Sequence, residues 1–120
     1  MRVLICGGRD FDDTDLFNKA LGAIDGEIEI ISGMAPGADT MAADFAKAYG
    51  YALHEFPADW NKHGKAAGPI RNQQMLDEGR PDLLLAFPGG RGTQDMLRRA
   101  KKHRDAFGYP RVIIEVENTV

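Results

Sequence analysis

Apolar runs of strand length alternate along this chain with stretches of helical period. Residues 2–6 form the first run and lead straight into Gly7-Gly8. A polar loop follows, after which Thr14 is placed to cap a helix over residues 15–24, with Leu16, Ala20 and Ile24 on one face. A second run covers residues 29–32. The next periodic stretch, residues 38–49, turns Ala38, Met41, Ala42, Phe45 and Ala48 inward and stops at Gly50. A third strand is expected at 51–56, then a loop of about ten residues. Gly68-Pro69 opens a third helix and Gly79 closes it. The fourth strand is 83–87 and the fifth 111–116, followed by a short polar tail. Between them Thr93 is placed to cap a helix running to Phe107, with Met96, Leu97, Ala100 and Phe107 on its buried side.

Strictly alternating strands and helices imply an α/β fold, a Rossmann-like three-layer α/β/α arrangement with a five-stranded parallel sheet. Right-handed crossovers leave few topologies, and the order 3-2-1-4-5 is expected. Strands 1 and 4 then lie side by side at the switch point, where ligands of such sheets bind.

Composition narrows the function classes. At 120 residues the chain fits one domain, and 43% hydrophobic residues can furnish a core. A net charge of −3 argues against bulk, sequence-independent binding of nucleic acid. With Cys6 as the one cysteine, neither an internal disulfide nor a cysteine metal cage can form, which fits a reducing, cytoplasmic setting. No apolar run approaches the ~20 residues needed to span a bilayer, and the N-terminus enters a strand directly, without a signal peptide. His54 and His63 have no partner at metal-ligand spacing, so neither a metal nor a cofactor is expected.

The candidate chemistry sits at strand ends. Gly7 and Gly8 let backbone approach a ligand, and Arg9 supplies a forked cation. Ser32-Gly33-Met34-Ala35-Pro36-Gly37-Ala38-Asp39 lies between the second strand and second helix, whose positive N-terminus points to the same edge. Gly33 and Gly37 are expected to line the wall opposite the phosphate. Asp39 is read first as a first-turn carboxylate and second as a ribose ligand. Trp60, between Asp59 and Asn61, is open to two readings: a stacking or lid residue, or a hydrophobic plug at the sheet edge. Arg71 falls in the first turn of the third helix, where a cation is disfavoured unless an anion faces it. Pro88-Gly89-Gly90-Arg91-Gly92-Thr93 is the strongest signal: three glycines before a helix make a phosphate nest of free amides. The basic run Arg98, Arg99, Lys101, Lys102, His103 and Arg104 reads foremost as a solvated helix face and only secondarily as a nucleic-acid patch.

Taken together, these segments resemble the SLOG superfamily, which groups the DprA/Smf proteins with the Lonely-guy proteins, and within it the YspA/YpsA-related branch. The resemblance rests on residues 7–11, 32–39, 56–60, 68–72 and 88–93, and reaches nearly to residue 107. It implies a Rossmann-like module that binds a nucleotide or nucleotide derivative as a sensor or carrier, and a homodimer. Lonely-guy enzymes cleave nucleoside 5′-monophosphates into base and ribose 5-phosphate. Their signature is Pro-Gly-Gly-x-Gly-Thr-x-x-Glu, with an arginine on the preceding helix. This chain matches the signature through Thr93, and Arg71 corresponds to that arginine. The glutamate position holds Met96, whose thioether can act neither as acid nor as base. Asp95 precedes it by one residue, about 100° around the helix.

The resulting expectation is a nucleotide held by Gly89, Gly90, Gly92 and Thr93, with Arg71 and Arg9 neutralising its charge. Two alternatives stand beside it. One is a phosphoribohydrolase (N-glycosidase) in which Arg71 is catalytic and Asp95, Asp39 or Asp10 replaces the glutamate. The other is a DprA-like module binding single-stranded nucleic acid through the last helix and the Lys62/Lys65 loop.

Overall fold

Hydrophobic alternation along the first strand builds two cores at once. A computed structural model describes residues 1–117; the end of the expected polar tail lies outside them. In β1 (Arg2–Cys6), Val3 and Ile5 point to one side and Leu4 and Cys6 to the other, and all four are buried. The sheet adds β2 (Glu29–Ser32), β3 (Leu53–Glu55), β4 (Leu83–Ala86) and β5 (Val112–Glu115). All strands are parallel and the order is 3-2-1-4-5, as the pattern predicts.

The helices cover both faces. On the Val3 and Ile5 side, α1 (Thr14–Gly22) contributes Phe17 and Leu21, and α2 (Ala38–Tyr49) contributes Ala38, Ala42 and Ala46. On the Leu4 and Cys6 side, α4 (Ala67–Asp77) brings Met75 and Leu76, and α5 (Arg91–Phe107) brings Met96, Leu97 and Ala100. The short α3 (Trp60–His63) precedes α4. No helix among the described residues is long and apolar enough to cross a membrane.

Element ends depart from the sequence pattern where a neighbour does the work of a cap. Asp13, not Thr14, caps α1, accepting a hydrogen bond from the Leu16 amide at 3.0 Å. The loop before Pro69 folds into α3 and a 3-10 turn, Gly64–Ala66, so α4 begins at Ala67. Pro69 is therefore its third residue, where a missing N–H is still harmless. Arg71 moves to the second turn. Past α4 the positive φ falls on Arg80 rather than Gly79. Thr93 does not cap α5: that helix starts at Arg91 after Gly90, without a side-chain cap, and Thr93 is buried within its first turn. Ala48 and Phe107 are exposed, because each sits in the last turn of its helix, beyond the sheet. Strand β3 is shorter than expected, since as an edge strand it pairs with β2 alone through three residues, Leu53, His54 and Glu55.

Candidate functional site

Three strand-to-helix loops meet at the carboxyl ends of β1, β2 and β4. The Gly8 amide donates to Pro88 O at 2.9 Å, and the Ala38 amide to Gly8 O at 3.2 Å. These junctions tolerate no side chain. A Cβ on Gly7 would stand 2.7 Å from Ala38 Cβ and 2.9 Å from Phe87 Cβ; one on Gly8 would stand 2.9 Å from Pro88 O. Gly37 has φ +82°, and a Cβ there would collide with Gly8 O.

Beside this junction lies a cleft of about 1620 Å³. It is lined by the ends of β1 and β4, the first turn of α5, and parts of α3 and α4. Of the residues singled out from sequence, Gly7, Gly8, Arg9, Asp39, Trp60 and Arg71 line it. So do Pro88, Gly89, Gly90, Arg91, Gly92, Thr93 and Asp95. Asp10 lines it as well.

Ser32, Gly33 and Gly37 do not line the cleft; they build the support behind it. The buried Ser32 hydroxyl donates to Asp39 O at 2.8 Å and accepts from the Met34 amide at 3.1 Å. A Cβ on Gly33 would lie 2.8 Å from Arg71 Cζ and 2.9 Å from Asp39 Oδ2. Glycine at 33 thus leaves room for the Arg71 guanidinium, which donates to Gly33 O. The N-terminus of α2 also lacks a side-chain cap, but backbone carbonyls meet it: the Ala38 amide donates to Gly8 O and the Thr40 amide to Ala35 O at 3.1 Å.

The N-terminus of α5 is different. The first amides of a helix lack partners within it, and here no side chain caps them. A Cβ on Gly90 or Gly92 would meet nothing within 4 Å. Arg91 is exposed at the same end. Arg71 and Arg9 add positive charge from the neighbouring walls.

Electrostatics separate the carboxylates. Burial raises the Asp39 carboxyl to about 6, against the opposing pull of Arg71, the Ala35 amide and Arg9. The same burial lowers Arg71 below its ordinary value, partly offset by Asp39; it remains a cation. Burial also works to raise Asp95, but hydrogen bonds from Asn72 and Arg99, and the charges of Arg99 and Arg98, hold it below the usual range. Its oxygens are engaged by Asn72 at 3.0 Å and Arg99 at 2.9 Å, and by Arg98. Met96 is fully buried in the core beneath the cleft. Cys6 is buried, and that burial pushes its thiol up, far from a reactive thiolate.

Asn72, which carries no role of its own in the sequence pattern, ties the site together. It accepts from Arg71 Nε at 3.1 Å and donates to Gly92 O at 3.3 Å and to Asp95. The available signal was its spacing: Asn72 shares the core-facing side of α4 with Met75 and Leu76, a polar residue on an apolar stripe.

The basic run on α5 is partly paired, with Lys102 and Arg104 making no ion pair among the described residues. Arg98 and Arg99 pair with Asp95, Lys101 stands 4.0 Å from Glu115, and the buried His103 meets Asp77 and Tyr109 O. Among the described residues no three His, Cys, Asp or Glu side chains gather to hold a metal ion.

Comparison with known proteins reaches the loops after β1 and β2 through the family model and most of the chain through one relative. The family model of the YspA, cpYpsA-related SLOG family matches residues 1–63, from β1 through α3. The Gene 61 protein of Mycobacterium phage D29 is 36% identical over 112 residues, covering 84% of this chain and 89% of the phage protein.

Proposed function

Since the chain belongs to the YspA, cpYpsA-related SLOG family, we propose that it binds a nucleotide or nucleotide-derived ligand in this cleft, as a sensor or carrier. Family membership supports a nucleotide-related binding or processing module in general terms. The observation that carries the finer reading is the α5 N-terminus: uncapped, with open space at Gly90 and Gly92, facing a cleft with Arg9 and Arg71 on its walls. Phosphate oxygens are the ligand that such amides and arginines satisfy together.

At α5 the carboxylates favour binding over cleavage. The position of the Lonely-guy glutamate holds the buried Met96, and Asp95 is tied by Asn72, Arg98 and Arg99. The test is to incubate the protein with nucleoside mono-, di- and triphosphates and ADP-ribose-type compounds, then identify free and bound species by liquid chromatography–mass spectrometry. An intact compound retained by the parent and lost in Arg71→Ala and Gly90→Val is expected. Equal retention by both variants contradicts the assignment.

One observation favours a second reading, the N-glycosidase. Asp39 is a nearly buried carboxyl lining the cleft, with its pKa raised to about 6, in the range of a working acid. Release of free base and ribose 5-phosphate, abolished in Asp39→Asn, would establish that reading in place of the first.

A further inference from the structure

Trp60 is the chain's single tryptophan and lines the cleft, yet it is 49% exposed. It is thus no plug at the sheet edge. Its position is nevertheless fixed. Asp59 caps α3 by accepting from the Lys62 amide at 3.1 Å. A Cβ on Gly68 would stand 3.4 Å from Trp60 Cη2, so the start of α4 lies close against the rim of the ring. A large aromatic surface is thus held at one edge and half exposed at the cleft.

The Arg9 guanidinium carbon stands over that ring, 5.8 Å from its centroid. At that distance the cation is within reach of the ring's π face. A planar ring sandwiched between the two groups, in contact with both, needs about 7 Å, so the Arg9 side chain must move outward to admit one. Arg9 is exposed, on the loop after β1, and makes no ion pair among the described residues. A small shift of its side chain opens the space. The cleft also exceeds the roughly 300–1,000 Å³ of ordinary small-molecule sites, and both Trp60 and the α5 N-terminus line it, so it has volume for a ligand larger than a phosphate alone.

We infer that Trp60 is the stacking platform for the nucleobase of the bound ligand, with Arg9 closing over the other face of the base, which leaves Arg71 as the arginine that serves the phosphate. This deepens the reading above and rests on it, because the phosphate at α5 sets which end of the ligand reaches Trp60. The occupant is a free nucleotide rather than a nucleic-acid strand: the net charge is −3, and Arg98, which lines the cleft, and Arg99 are held by Asp95.

The experiment titrates AMP, GMP, CMP, UMP and ribose 5-phosphate into the full chain by calorimetry, with indole fluorescence as a parallel signal. At least one nucleoside monophosphate is expected to bind at least tenfold more tightly than ribose 5-phosphate and to quench the fluorescence. Trp60→Ala is expected to weaken that nucleotide roughly ten- to a hundredfold while leaving ribose 5-phosphate within about twofold, and Trp60→Phe to recover most of the loss. Parent-like nucleotide binding by Trp60→Ala would overturn the inference. So would ribose 5-phosphate binding as tightly as every nucleotide, which overturns the base platform and leaves the phosphate site standing. Failure of all five probes to bind would overturn both. A single-stranded oligonucleotide that quenches more tightly than any mononucleotide would replace the free nucleotide with a strand.

Discussion

Two loops of this protein carry the same written pattern, an apolar strand followed by Gly-Gly-Arg or Gly-Gly-Arg-Gly, and use it in opposite ways. After β1, Gly7 and Gly8 are pressed against Ala38, Phe87 and Pro88, where any side chain collides. After β4, Gly89 shares that crowding, touching the Gly8 backbone, but Gly90 and Gly92 face empty space. The first glycines are required by the protein's own packing. The second have no neighbour that requires them, and they sit at an uncapped helix end on the cleft. Glycine where nothing of the protein needs glycine is the sign of a ligand approaching the backbone.

Substitutions can break or sharpen this contrast. The largest effect is expected on the crowded side, at Gly37. Gly37→Ala combines a positive φ with a collision against Gly8 O and should cost about 3 kcal/mol or more, read as a lowered urea midpoint. An unchanged midpoint would mean that the loop junction is looser than described.

Next comes Asp39, which with Arg71 packs against Gly33 in the loop after β2. Its folded carboxyl titrates near 6, above its ordinary value of 3.8. Between those values the folded chain holds a proton that the unfolded chain has released. Stability from this group is therefore full at acid pH and is lost as the pH rises from about 4 through 6, by at most about 3 kcal/mol. Asp39→Asn should flatten that part of the stability–pH curve relative to the parent. An identical slope in both would show that Asp39 titrates normally.

Gly7→Ala should cost roughly 1–3 kcal/mol by overpacking against Ala38 and Phe87. At the small end, Gly92→Ala lies within α5 with open space around it and should raise stability by up to about 1 kcal/mol. A loss as large as that of Gly7→Ala would erase the distinction between the loops.

The strand order could be read from sequence because each strand is short, apolar and followed by a helix, which leaves little freedom once crossovers are right-handed. Most cleft residues could be read too, since glycines and arginines at strand ends fall at one sheet edge by topology alone. What escaped depended on distant packing. Gly33 was assigned to a ligand wall, but its lack of a side chain accommodates Arg71, a contact across 38 residues of sequence. Thr93 was read as a cap because its type suits one, whereas the helix starts two residues earlier and turns it inward. Short α3 was invisible because its four residues carry no period, and only its Asp59 cap marked it.

The most direct measurement compares Gly90→Val with the parent in two assays on the same preparation, urea unfolding and calorimetric titration with nucleoside monophosphates. The expected result is an unfolding free energy within about 0.5 kcal/mol of the parent, together with nucleotide affinity reduced at least tenfold. A variant that folds normally and binds nucleotides with the parent's affinity would contradict the placement of the phosphate at the α5 N-terminus.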